Sequence, residues 1–217
     1  MLECEINHID CVYCSGSGKL KLKPIELNED MFIAEGRHRK TYQHPEEYLK
    51  IIKINKNELN GNEREVSCYQ KLSMEVKEII PLFYGEVVTN LGKGLVFEKI
   101  VDADTGLASS TLLHIMRNNP DFIQAHKKEI LESLWSLTDT FIDAGVLTCG
   151  LNIENIIVQR LKDNEIKIFS IDIKEITIKE FIPISKWFHF FKARKIKRRL
   201  YKNLTFLLKA INDLPIS

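Results

Sequence analysis

The sequence contains no apolar run long enough to span a bilayer, no basic start leading into an apolar stretch, and no marked excess of charge of either sign. A membrane-crossing helix needs about 20 consecutive apolar residues, so none is expected. The opening MLECEINHID is acidic where a secretory leader would be basic, and the cytoplasm is therefore the expected location. Lysine and arginine total 31 against 30 aspartates and glutamates, a net charge of +1. Such a balance supplies no whole-molecule field to draw in nucleic acid or an anionic membrane, so any attraction of that kind must be local. Cysteine is sparse and odd in number: Cys4, Cys11, Cys14, Cys68 and Cys149. Without an export signal these are expected to be reduced thiols. Internal repeats and low-complexity stretches are also missing. What remains is ordinary for a globular chain, with 44% apolar and 28% charged residues. Its 217 residues suffice for one large domain or two small lobes with a substantial core.

Residues 1–24 read as an extension, flexible around Ser15-Gly16-Ser17-Gly18. From Ile25 to about residue 100 the texture is that of a β-rich lobe. Phe32-Ile33-Ala34 leads through Glu35-Gly36-Arg37-His38 to a returning strand at Lys40–Gln43, and a third strand is predicted over Tyr48–Ile54. Asn62–Leu72 has helical spacing, and Leu82–Val88 with Leu95–Ile100 reads as a hairpin. Residues 101–217 read as a mainly helical lobe. Thr111 is a predicted N-cap for Leu112–Arg117. Pro120 opens the longest predicted helix, whose stripe of Ile123, Ile130, Leu134, Leu137, Phe141 and Ile142 faces the core as far as Gly145. A second hairpin spans Ile156–Gln159 and Ile166–Ile171, and a last helix runs from about Trp187 to Asn212.

The order of these elements matches the order in which a protein kinase presents its ATP site. The turn around Gly36 resembles the phosphate-covering loop with a single glycine retained, and Arg37 and His38 would bring positive charge to phosphates. The same residues also suit a plain hairpin with a solvated basic tip. Lys53 occupies the place of the strand lysine that contacts the α- and β-phosphates, with Glu65 as its helix partner. Alternation puts Lys50 on the other face of that strand. Glu98 to Ile100 would be the hinge against which the base of a nucleotide lies. Gly145 to Ile157 aligns without gaps on the kinase catalytic loop and keeps Gly145, Leu151 and Asn155, but Gly150 stands where the catalytic base should be. Glycine has no side chain to accept a proton, so ordinary protein-kinase chemistry is not expected through it. Asn155, and Asp172 at the end of a strand, would be the magnesium ligands.

A closer likeness is carried by Gly36-Arg37-His38-Arg39-Lys40, Tyr42, His44-Pro45, Ile52-Lys53-Ile54, Arg64-Glu65, Gly94 to Phe97, Leu151 with Asn155, and Ile182-Pro183 with Trp187. In these the chain resembles the YrbL family, the PhoP regulatory network proteins of bacteria, over roughly residues 25–210. The resemblance implies a compact α+β, two-lobed kinase-like fold with a reduced helical lobe, and a link to PhoP-type regulation. Two functions follow as expectations. One is a nucleotide-binding regulatory module of pseudokinase type, which Gly150 favours, acting on a protein partner or responding to a small substrate. The other is an active phosphotransferase using ATP and Mg²⁺, with Asp102, Asp104 or the substrate replacing the missing base.

Two further groups stand apart. Cys4, His8, Cys11 and Cys14 have the residue types of a zinc site, but the spacing is cramped and free thiols are expected instead. Residues 187–199 begin with aromatics and continue with lysines and arginines. This run suits either contact with a membrane surface or a helix whose apolar side packs inward while its charges stay solvated. Nucleic acid is not an expected partner.

Overall fold

A computed structural model of the chain describes residues 23–36, 38–56, 66, 69, 72–144 and 152–171, and within the C-terminal stretch 194, 198, 201–202, 204–206 and 208–213. The β-rich half is a five-stranded antiparallel sheet. Its strands are β1 (Phe32–Glu35), β2 (Arg39–Gln43), β3 (Lys50–Asn55), β4 (Phe83–Thr89) and β5 (Gly92–Glu98), in the spatial order β1-β2-β3-β5-β4. Ile52 and Ile54 alternate with Ile51 and Lys53 along β3, so the strand presents one apolar face and one mixed face. The apolar face joins Tyr42, Val96 and Leu27 in an outer cluster. On the other side Leu95 and Phe97 of β5 enter the main core with Tyr69, Leu72 and Val76.

That main core continues into the helical half. A short helix α1 (Met74–Lys77) precedes β4, and a two-residue strand β6 (Ser110–Thr111) leads into α2 (Leu112–Asn118), α3 (Pro120–Ala125) and α4 (Lys127–Asp143). Strands β7 (Ile156–Arg160) and β8 (Ile166–Ser170) complete a three-stranded sheet in the order β6-β7-β8. The predicted stripe lies inside: Ile123, Ile130, Leu134, Leu137 and Phe141 are all buried, and Ile142 packs against them. Leu204 and Ile211 pack into the same core. The two halves thus share one apolar cluster.

Three expectations change. The helix opened by Pro120 is two helices, joined at His126 with φ −104° and ψ 15°. The joint keeps its backbone bonds, with the N–H of His126 donating to Phe122 O and that of Ile130 to His126 O. Its imidazole is buried, lies 4.4 Å from the Phe122 ring and meets Glu129 at 3.1 Å, so a buried polar ring sits where an apolar residue would have continued the stripe. The third strand begins at Lys50, because Tyr48 and Leu49 turn around Gln43. The Gln43 amide group lies 3.0–3.2 Å from the carbonyls of His44, Glu47, Tyr48 and Lys50. Finally β5 begins at Gly92, so its hairpin turn is shorter than Asn90–Gly94.

Among the described residues no helix is long and apolar enough to cross a membrane. Arg194 and Arg198 are helical and exposed. Cys4, His8, Cys11 and Cys14, and the rest of residues 187–199, lie outside the described residues.

Candidate functional site around Lys53

Strand β3 is held between β2 and β5, with Lys53 opposite Thr41 on one side and Leu95 on the other. Burial of Ile52 and Ile54 in the outer cluster turns Lys53 toward the helical half. There its Nζ donates to the carbonyl of Ile171 at 3.3 Å and stands 4.4 Å from the centroid of the Phe97 ring. Lys50 leaves the strand on the opposite face, pairing with Glu47 and lying 4.4 Å from the Tyr84 ring. Ile171, the residue before Asp172, is fixed from its other side as well. Its N–H donates to the carbonyl of Asn155 at 2.9 Å, and the N–H of Asn155 donates to Asn152 O at 2.8 Å, closing the short 3₁₀ turn Ile153–Asn155. The neighbouring Ser170 N–H donates to Ile79 O at 2.9 Å, tying β8 to the segment before β4. A chain of two hydrogen bonds therefore connects Lys53 through Ile171 to Asn155. Half-buried Ile51, on the same strand face as Lys53, and Ile157, on the face of β7 away from Ile156 and Val158, add apolar surface.

The other predicted positions fall as follows. The N–H of Gly36 donates to Arg39 O at 2.8 Å and closes the β1–β2 turn. A Cβ there would meet only Arg39 O at 3.8 Å, so nothing in this geometry demands glycine. His38 is exposed, and its carbonyl accepts the Lys56 N–H at 3.0 Å. Glu35, at the same tip, forms an ion pair with Lys56. That hydrogen bond holds the Glu35 carboxyl below the usual carboxylate range, with smaller help from the charges of Lys56 and Lys40. At the hinge, Glu98 bonds Leu82 twice, its N–H to the carbonyl at 2.8 Å and its Oε2 to the N–H at 3.1 Å. Ile100 is buried, and its carbonyl accepts from Ser109 N–H at 3.0 Å. Arg37, Glu65, Gly150 and Asp172 lie outside the described residues.

Two carboxylates, Asp102 and Asp104, follow Ile100. Asp102 Oδ1 accepts from Ser109 Oγ at 2.5 Å and from the Arg160 N–H at 3.0 Å, so this carboxylate organises the loop to β6 and ties it to β7. Asp104 is exposed in the turn beyond it. Sequence reasoning did not find three contributors: the Phe97 ring, the Ile171 carbonyl, and the loop-ordering role of Asp102. Phe97 needed the β3–β5 register, and a backbone carbonyl leaves no mark in a sequence.

By residue type Asn155 and Asp172, the latter outside the described residues, suit magnesium held mainly through phosphates. An asparagine amide oxygen and an aspartate carboxylate are hard oxygen ligands, and Mg²⁺ is commonly bound by one or two such groups together with substrate phosphates. Among the described residues no group of three or more His, Cys, Asp or Glu side chains would form a dedicated cage.

The five-stranded antiparallel sheet, the helices and the three-stranded sheet make this an α+β protein. The family model for the PhoP regulatory network protein YrbL matches residues 25–207, and the chain belongs to the YrbL family. It is 32% identical over 188 residues to YrbL of Escherichia coli strain K12, covering 82% of this chain and 85% of the relative. It matches YrbL of Shigella flexneri to the same extent. Among solved structures, the pseudokinase domain of BIR2, an immune regulator of the RLK/Pelle family, superposes with a TM-score of 0.44 and 14% identity. That match takes in 67% of this chain and 45% of the other.

Proposed function

We propose that the cleft binds a nucleoside triphosphate with Mg²⁺ and that the protein is a regulatory module of pseudokinase type in a bacterial PhoP-type network. The observation that carries this reading is the chain of contacts from Lys53 through Ile171 to Asn155. It links the backbones of Asn155 and of the residue beside Asp172 to the Lys53 ammonium, which supports a reading in which a cation and hard oxygen donors serve a metal–triphosphate. In this reading Lys53 meets the phosphates, Asn155 and Asp172 hold Mg²⁺, and the turn at Gly36, Arg37 and His38 covers the phosphates. Glu65 orients the lysine, and the base lies against Glu98 and Ile100. Bound magnesium would neutralise phosphate charge.

The regulatory reading is preferred because Gly150 supplies no base and the carboxylate of Asp102 is already engaged by Ser109 and Arg160. The C-terminal residues also pack directly on α4, with Tyr201 Oη donating to Asp139 Oδ1 at 3.2 Å and its ring 5.7 Å from Trp135. The test is thermal unfolding with and without ATP and Mg²⁺, beside Lys53→Ala. A ligand that binds only the folded state adds roughly 2.7 kcal/mol at about a hundredfold excess over its Kd. A metal-dependent rise lost in the variant is the expected result, and no rise in the unsubstituted protein would refute nucleotide binding. ATP turnover abolished by Asp172→Ala would replace the regulatory reading with an enzymatic one.

A further inference from the structure

One contact of Lys53 is with a ring. Its cross-strand partner on β5 is Leu95, and Phe97 lies two residues farther along the same face. The diagonal neighbour on an adjacent strand is within reach of a long side chain, and Lys53 takes that direction, placing Nζ 4.4 Å from the ring centroid. Phe97 itself has no freedom to move aside. It is wholly buried and packed at 5.3 Å against Tyr69 and 5.2 Å against Phe83, which stand 5.4 Å from each other. Lys50 and Lys99 also lie over rings, those of Tyr84 and Tyr48, but both of these rings are exposed to solvent. A cation over an aromatic face gains most where water is excluded, and Phe97 provides such a face.

We propose that Phe97 is a positioning residue, its ring fixing the direction of the Lys53 side chain so that the ammonium is held beside Ile171. Volume alone does not serve this role: a leucine at position 97 fills much of the same space but offers no π face. The consequence for ligand binding rests on the proposed function, whereas the contact itself does not.

The experiment therefore begins without nucleotide. In lysine-labelled protein the ε-methylene protons of Lys53, assigned by their loss in Lys53→Arg, are expected upfield of the ordinary lysine position because they lie over the ring. Phe97→Leu is expected to return them to that position and to weaken binding of Mg·ATP by roughly three- to thirtyfold, the range of one cation–π contact. Phe83→Leu removes another ring of the same cluster and is expected to leave the Lys53 resonances in place, although it also costs stability. An ordinary position for Lys53 in the unsubstituted protein overturns the assignment, and this readout decides it even if Phe97→Leu fails to fold. Equal displacement by Phe83→Leu and Phe97→Leu also overturns it, because the effect is then one of general packing. An upfield Lys53 in a protein that does not bind ATP would refute the proposed function while upholding the positioning role.

Discussion

A Cβ added to Gly94 would lie 2.6 Å from Ile52 Cγ2 and 2.8 Å from Ile54 Cδ1, both on the neighbouring strand and both buried in the outer cluster. The two isoleucines that orient Lys53 thus lean across the backbone of β5 where no side chain stands. Gly94→Ala is expected to destabilise the protein by about 1–3 kcal/mol, the usual cost of overpacking a core, as measured by denaturant unfolding. In the sequence this glycine belongs to the predicted hairpin turn, and only the pairing of Gly94 with Ile54 shows that it serves the strand packing. At the tip of β1 and β2, the lowered pKa of Glu35 depends chiefly on its hydrogen bond to Lys56. A depressed carboxyl contributes stability above its unfolded pKa and loses it as pH falls through its folded value. Lys56→Ala should accordingly move Glu35 back toward the ordinary carboxylate range in an NMR titration, with little effect on global stability because the pair is exposed.

At the scale of elements, the strands and the buried stripe of α4 were legible because period-2 and period-3.6 patterns are local. The start of α3 at Pro120 was legible too, and there the Asn119 side chain accepts the Phe122 N–H at 3.2 Å. Replacing Asn119 with alanine is expected to cost about 1 kcal/mol, measured by thermal or denaturant unfolding. The break at His126 was not legible, since it depends on a stacked and buried imidazole that periodicity does not register. At the C-terminal helix, desolvation first and the bond to Asp139 second push the Tyr201 hydroxyl above the usual tyrosine range. The folded state then favours the protonated phenol. Its contribution is complete below the unfolded tyrosine pKa and is lost as pH rises through the folded value. Tyr201→Phe should therefore reduce the loss of stability seen at strongly alkaline pH, as followed by denaturant midpoints across that window.

For the whole molecule, the order of elements carried the fold class, and the residues along it carried the family. For the candidate site the sequence offered positions alone. Missing were the contacts that join distant segments, such as Lys53 to Ile171, because backbone acceptors and loop conformations are settled only when the halves meet. The hinge shows this most clearly. Lys99 donates to Gln43 Oε1 at 2.8 Å and lies 4.0 Å from the Tyr48 ring, while Tyr48 Oη donates to Gly106 O at 2.9 Å. Gly106 belongs to the turn that Asp102 and Ala103 fasten to Arg160 of β7. The β2–β3 loop is thereby hooked onto the far side of the hinge. Tyr48→Phe is expected to hasten amide exchange at residues 102–107 and to quicken release of a bound nucleotide, as measured by hydrogen exchange and stopped flow. This end of the sheet is riveted, so any parting of its strands would start at the opposite end, where the β1–β2 tip stands beside Asn55 and Lys56.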